Sequence, residues 1–163
     1  MTKISVRGFT LIELLVVIAI IGLLSTIVVA SLSSVRGKAR DTARIASLQE
    51  MSKAIAIVDT DPGTTFVGCT AGTLVDISTC TVPDFVKYKD PSSSTACGTG
   101  VALTAACQYA IGNTTLANGT VPTSQNYMIK TVIENASGNL TAGVICISSA
   151  SSGNIVQGAA ICK

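Results

Sequence analysis

Hydrophobic and polar positions divide this chain into three stretches of different character. From Leu14 to Val35 there are 22 consecutive residues without a charge, dominated by Leu, Ile, Val and Ala. As a helix this run is about 33 Å long, which matches the hydrocarbon thickness of a bilayer. Gly22, Ser25 and Thr26 interrupt its apolar character, and a helix in lipid tolerates them because it satisfies its own backbone and the hydroxyls bond back to it. After Val35 the chain turns polar but keeps a helical period: Ile45, Leu48, Met51, Ile55 and Val58 recur at steps of three and four. Arg44, Gln49, Glu50 and Lys53 then read as the solvated face, with Asp41 one helical step before Arg44. Asp59-Thr60-Asp61-Pro62-Gly63 is a stop signal.

The pattern predicts a nearly continuous helix from Phe9 to about Val58, on the order of 75 Å long. Ser33-Ser34-Val35-Arg36-Gly37 is its predicted weak point, since an interior Gly costs about 1 kcal/mol relative to Ala. Beyond Gly63, Ser/Thr/Gly-rich loops alternate with short segments of β-branched and aromatic residues. Phe85–Lys89, Cys107–Ile111, Tyr127–Glu134 and Leu140–Ser148 are the expected strands, the last two joined through Asn135-Ala136-Ser137-Gly138-Asn139. Val82-Pro83 and Asp90-Pro91 mark loops. The expectation is an α+β fold in which a small antiparallel sheet of three or four strands covers the Ile45 to Val58 stripe.

Composition changes this picture little, because the positive mean hydropathy comes largely from the residues before Val35. The 128 residues beyond that stretch are enough for one small domain with a modest core. Net charge is +2, and Lys3 and Arg7 account for it, so residues from Phe9 onward carry nine basic and nine acidic side chains. From Asp59 onward four lysines face six carboxylates, which lacks the clustered basic excess of a nucleic-acid binder. The basic run Arg36 to Arg44 reads as a solvated helix face next to the apolar run.

Six cysteines, Cys69, Cys80, Cys97, Cys107, Cys146 and Cys162, all lie beyond the apolar run. An even number in a small region that follows a membrane-targeting segment points to disulfides in an oxidising compartment. Zinc is disfavoured by the absence of histidine and of any Cys-x-x-Cys pair, so neither metal nor cofactor is expected. Nearest-neighbour pairing would join Cys69 to Cys80, Cys97 to Cys107 and Cys146 to Cys162. Each bond would close a short loop and contribute roughly 3 kcal/mol, which offsets a core poor in aromatic residues.

Glu13 is the one carboxylate at the edge of the apolar run. Three readings of the N-terminus differ in what they make of it. A removable signal peptide would use Lys3 and Arg7 as its basic region and Val28-Val29-Ala30 as a cleavage site, releasing a secreted disulfide-rich binding domain after Ala30. A plain anchor would let Glu13 reach the membrane surface. The third reading comes from the ordered string Gly8-Phe9-Thr10-Leu11-Ile12-Glu13 followed by the long apolar helix. It closely resembles the N-terminus of the type IV prepilin and type II secretion pseudopilin superfamily, over about Gly8 to Asp61.

That resemblance implies a pilin-like fold and a structural role, not an enzyme. It implies a leader over residues 1–8, a transmembrane and filament-core helix over 9–35, an amphipathic helix over 36–58 and an extracytoplasmic β-rich head over 59–163. A prepilin peptidase would cut between Gly8 and Phe9 and methylate the new amine of Phe9. Glu13 would attract the N-terminal amine of a neighbouring subunit, so that assembly itself compensates a carboxylate in an apolar environment. Implied partners are other pilins in a homo- or hetero-oligomeric filament, the peptidase, an inner-membrane assembly platform, and lipid before assembly. The protein would then be single-pass in the cytoplasmic membrane with its N-terminus inside, and later part of a surface filament. The charges flanking the run oppose this orientation, because Arg36, Lys38, Arg40 and Arg44 follow it while only Lys3 and Arg7 precede it.

Residue chemistry beyond the motif is sparse. Without histidine a Ser/His pair is impossible, and a catalyst would have to rely on carboxylate, Lys, Tyr or Cys. Asp59 with Asp61, or Asp84 with Asp90, could offer oxygen to calcium, but neither pair has an EF-hand spacing and turn roles fit better. Asn113, Asn118, Asn135 and Asn139 stand in acceptor patterns for N-glycans that a Thr- and Ser-rich region produces by chance.

Overall fold

The computed structural model describes residues 8–58, 65–69, 74–97, 103, 107, 109–115, 120–158 and 162. The chain forms two compact units, Met1–Arg36 and Gly37–Lys163. One helix, α1, runs from Leu11 to Val58, and helical structure continues through the Ser33 to Gly37 stretch expected to be its weak point. In the first unit the apolar side chains of α1 are exposed, and three of its hydroxyls bond back to the helix. Ser25 Oγ donates to the Ile21 carbonyl at 2.7 Å, Thr26 Oγ1 to that of Leu23 at 2.8 Å and Ser31 Oγ to that of Val28 at 3.0 Å. With its helical backbone and these three hydroxyls satisfied internally, this segment is long and apolar enough to cross a membrane.

In the second unit an antiparallel sheet runs in simple sequence order: β1 (Val75–Asp76), β2 (Ala110–Gly112), β3 (Met128–Ile133), β4 (Gly143–Ser148) and β5 (Ile155–Gln157). The register places Ile129 opposite Ile147 and Thr131 opposite Ile145. The inner face therefore presents Ile111, Ile129, Ile133, Ile145 and Ile147 to Leu48, Met51 and Ile55 of α1. On the outer face Met128 and Cys146 pack with Cys162, while Ala110 packs with Leu74 and Cys97. Truncating one of the three helix anchors to Ala would cost about 2–5 kcal/mol.

Among the described residues the sheet has five strands, where three or four were expected. β1 and β5 are two- and three-residue edge strands in polar surroundings, too short to give an alternating signal. The expected strand Phe85–Lys89 is a loop. Asp84 accepts a hydrogen bond from the Val86 amide at 3.1 Å, and the Tyr88 amide donates to the Phe85 carbonyl at 3.0 Å. This local turn buries Phe85 and Tyr88, three residues apart, on the same side. β3 and β4 are joined by the turn around Gly138, whose φ of +59° suits glycine, and Ser137 and Leu140 exchange two backbone hydrogen bonds across it.

All three disulfides join nearest neighbours: Cys69–Cys80, Cys97–Cys107 and Cys146–Cys162. They staple the loops around the sheet, and the last ties the chain near its final residue to β4. The predicted helix stop at 59–63 lies outside the described residues.

Candidate functional site

The first turn of α1 brings Thr10 and Glu13 together. The Thr10 amide donates to Glu13 Oε2 at 2.9 Å, and Thr10 Oγ1 donates to the same oxygen at 2.6 Å. In return the Glu13 amide points at Thr10 Oγ1 at 3.4 Å. This is a capping box, a Thr followed three residues later by Glu, which satisfies amides that a helix N-terminus otherwise leaves orphaned. Thr10 is therefore a site residue beside Glu13, and the Thr-x-x-Glu spacing is its signal in the sequence. Beside it Phe9 is 78% exposed, and a Cβ added to Gly8 would meet nothing within 4 Å. An open glycine, an exposed aromatic residue and a carboxylate held at a helix start thus occupy six consecutive positions. Lys3 and Arg7 lie outside the described residues.

Residues 4–29 match the model of the prokaryotic N-terminal methylation motif. The N-terminus is a prepilin-type motif. The match takes in Gly8, Phe9, Thr10, Glu13 and the first part of the apolar helix, and it supports a type IV pilin-like or pseudopilin-like precursor. No curated protein and no solved structure matches the chain. The match ends at residue 29 and takes in no residue of the second unit.

The most concentrated chemistry of that unit is an ion cluster around Arg44, a residue expected on the solvated face of the helix. Arg44 is fully buried. Its Nε and Nη2 donate to the two carboxylate oxygens of Asp90 at 2.6 and 3.0 Å, and Nη1 reaches Asp41 at 2.8 Å and Glu134 at 2.9 Å. Arg40 pairs with Glu134. Asp41 also accepts the backbone amides of Glu134 and Asn135, at 2.9 and 2.8 Å, and the Asn135 side-chain amide at 3.0 Å. Arg40 and Arg44 are thus withdrawn from the basic run, and of its basic residues only Arg36 and Lys38 are exposed.

The carboxyls respond to these partners. Burial pushes Asp41 up, but the amides of Glu134 and Asn135 together with Arg44 outweigh it and hold the group below its ordinary value. Burial likewise opposes ionisation of Asp90, and Arg44 with the Ser92 amide and hydroxyl overcomes it. Hydrogen bonding from Arg40, then from Arg44, lowers Glu134. Asp90 accepts from Arg44 and from the Ser92 amide, and Asp84 accepts from the Val86 amide in a turn. Among the described residues no group of three His, Cys, Asp or Glu side chains could hold a metal.

Two further polar positions were not anticipated. Lys130 on β3 is 5% exposed, on the outer sheet face between Ala110 and Cys146, and burial lowers its ammonium below the usual lysine range. Gln157 closes the β4–β5 edge, accepting from the Thr141 amide at 2.8 Å and donating back to the Thr141 carbonyl. Of the glycan acceptor patterns, Asn113 is buried and Asn135 is bonded to Asp41, whereas Asn139 is exposed on the β3–β4 turn.

Proposed function

We propose that this chain is the precursor of a structural filament subunit, a pilin or pseudopilin, cut between Gly8 and Phe9 by a prepilin peptidase and methylated on the amine of Phe9. The observation that carries this reading is the methylation motif over residues 4–29, with Gly8 open, Phe9 exposed and Glu13 held at the start of an apolar helix. Residues 1–8 are the leader, 9–35 the membrane-spanning and filament-core segment, 36–58 the amphipathic continuation, and 59–163 the disulfide-bonded head. The N-terminus faces the cytoplasm, where the peptidase acts, and the head lies outside, where disulfides persist.

Glu13 gives assembly its direction. In the isolated subunit its carboxylate is satisfied within its own chain by the amide and hydroxyl of Thr10. A free Phe9 amine from a neighbour offers a full positive charge instead, and a charge-assisted bond in apolar surroundings is stronger than the neutral contacts it supplements. Subunits that meet in the right register therefore gain what the lone subunit lacks. The residues carry no catalytic role, and the partners are further subunits, the peptidase and the membrane assembly platform.

Replacing Glu13 with Ala tests this reading in cells that assemble the filament. Processed, membrane-inserted protein that fails to enter filaments is the expected result. Normal incorporation of Glu13→Ala would remove the role assigned to that carboxylate.

A further inference from the structure

In the second unit α1 buries one continuous stripe: Gly37, Asp41, Arg44, Leu48, Met51 and Ile55, at steps of four, three, four, three and four. A repeat of this kind keeps one face of a helix against its support. The chemistry of the stripe changes abruptly halfway. From Ile45 onward the buried residues are apolar and join the main core. From Gly37 to Arg44 they are a glycine, a carboxylate and a guanidinium, held by Asn135 and Glu134 at the end of β3 and by Asp90 and Ser92 of the loop after Tyr88.

The two seams differ in how they open. An apolar seam is worth what its buried area gives and does not depend on protonation. A buried ionic seam is poised between desolvation and Coulomb attraction, so loss of one partner leaves the others uncompensated and removes most of its value at once. Here Arg44, Asp41 and Asp90 are the buried members, while Arg40 and Glu134 pair at the partly exposed rim.

We propose that residues 37–44 form a releasable strap, which lets go of the β3 end and the Asp90 loop as a unit while residues 45–58 stay docked on the sheet. In the chain the strap directly follows the unit that ends at Arg36. Its release adds about 12 Å of undocked helix between the membrane-spanning segment and the anchored part of the head. The groups that face the strap are Asp90 from the loop, Glu134 just past β3 and the phenol of Tyr109 beside β2, together with the strap's own Arg40, Asp41 and Arg44. Of these the three carboxylates are the acid-sensitive members, and protonating them opens the seam.

The amides of Glu134 and Asn135 are direct reporters, because both donate to Asp41. Asp90 holds Arg44 and contacts neither amide, so Asp90→Asn perturbs the seam from its other side. Amide hydrogen exchange would be followed by NMR on the full-length chain in detergent micelles, wild type and Asp90→Asn, near neutral pH. The expected result is exchange at Glu134 and Asn135 faster by about tenfold, with the ladder amides of β3 and β4 unchanged. Ile55→Ala, which weakens the apolar seam, should instead accelerate the ladder amides. Equal acceleration of all these amides in Asp90→Asn would show one cooperative head and overturn the strap. No change at Glu134 and Asn135 would overturn it as well.

Discussion

Gly37→Ala is a substitution for which local helix chemistry and the packing around α1 predict opposite signs. In the interior of a helix, Ala is favoured over Gly by about 1 kcal/mol, so propensity alone predicts a stabilised head. A Cβ on Gly37, however, would lie 2.6 Å from Asn135 Nδ2, closer than real contacts allow. Asn135 must rotate away, and its side-chain hydrogen bond to the Asp41 carboxylate at 3.0 Å is lost. A hydrogen bond to a charged group is worth about 1.5–3 kcal/mol, so the net effect is a loss of about 0.5–2 kcal/mol. The backbone amide of Asn135 keeps Asp41 partly satisfied, which keeps the loss toward the lower end. Urea unfolding of the full-length chain in micelles, followed by the near-ultraviolet signal of its tyrosines, measures it. In an Asn135→Ala background the conflict is gone, and Gly37→Ala should stabilise by about 1 kcal/mol. Stabilisation by Gly37→Ala in the native background would refute the packing argument.

Acid should weaken the head through the Arg44 cluster. Asp41, Asp90 and Glu134 are all held below their ordinary values in the fold, so their contribution is complete above the unfolded carboxyl range and is lost as pH falls below that range through their lowered folded values. Urea midpoints should therefore be flat from about pH 5 to 8 and drop below about pH 4, with a shallower drop in Asp41→Asn. Lys130→Met should stabilise the head by about 1 kcal/mol in the same assay, because burial disfavours that ammonium and Met fills the same space without a charge. Replacing Gly8 with Val should leave a full-length precursor in the membrane, visible as an unshifted band beside the processed wild type.

The parts of this molecule that sequence made legible are those written in local, apolar patterns. The charge-free run, the Leu48–Met51–Ile55 stripe, the Gly8 to Glu13 string and the cores of β3 and β4 each fit within a short window. The Arg44 cluster does not, because its partners are 46 and 90 residues away in Asp90 and Glu134. A reading that followed only apolar positions began the stripe at Ile45, whereas the same period extends back through Arg44 and Asp41 to Gly37. Charged residues at the right step of a helix can be the buried face when their counter-ions come from elsewhere in the fold. Phe85–Lys89 failed in the opposite way: its aromatic residues are buried by a turn, and side-chain type alone does not distinguish that from a strand. Lys130 sits at a strand position whose outer face is covered by disulfide-bonded loops, a consequence of tertiary structure that strand alternation does not encode.

The central claim, that this is a prepilin-type precursor processed beside Gly8, is tested most directly by the N-terminal sequence and intact mass of the protein isolated from its native cells. A chain that begins at Phe9, with a mass increment of one methyl group on its amine, is the predicted result. A chain that begins at Ser31, or one that retains residues 1–8 in assembled material, would contradict it.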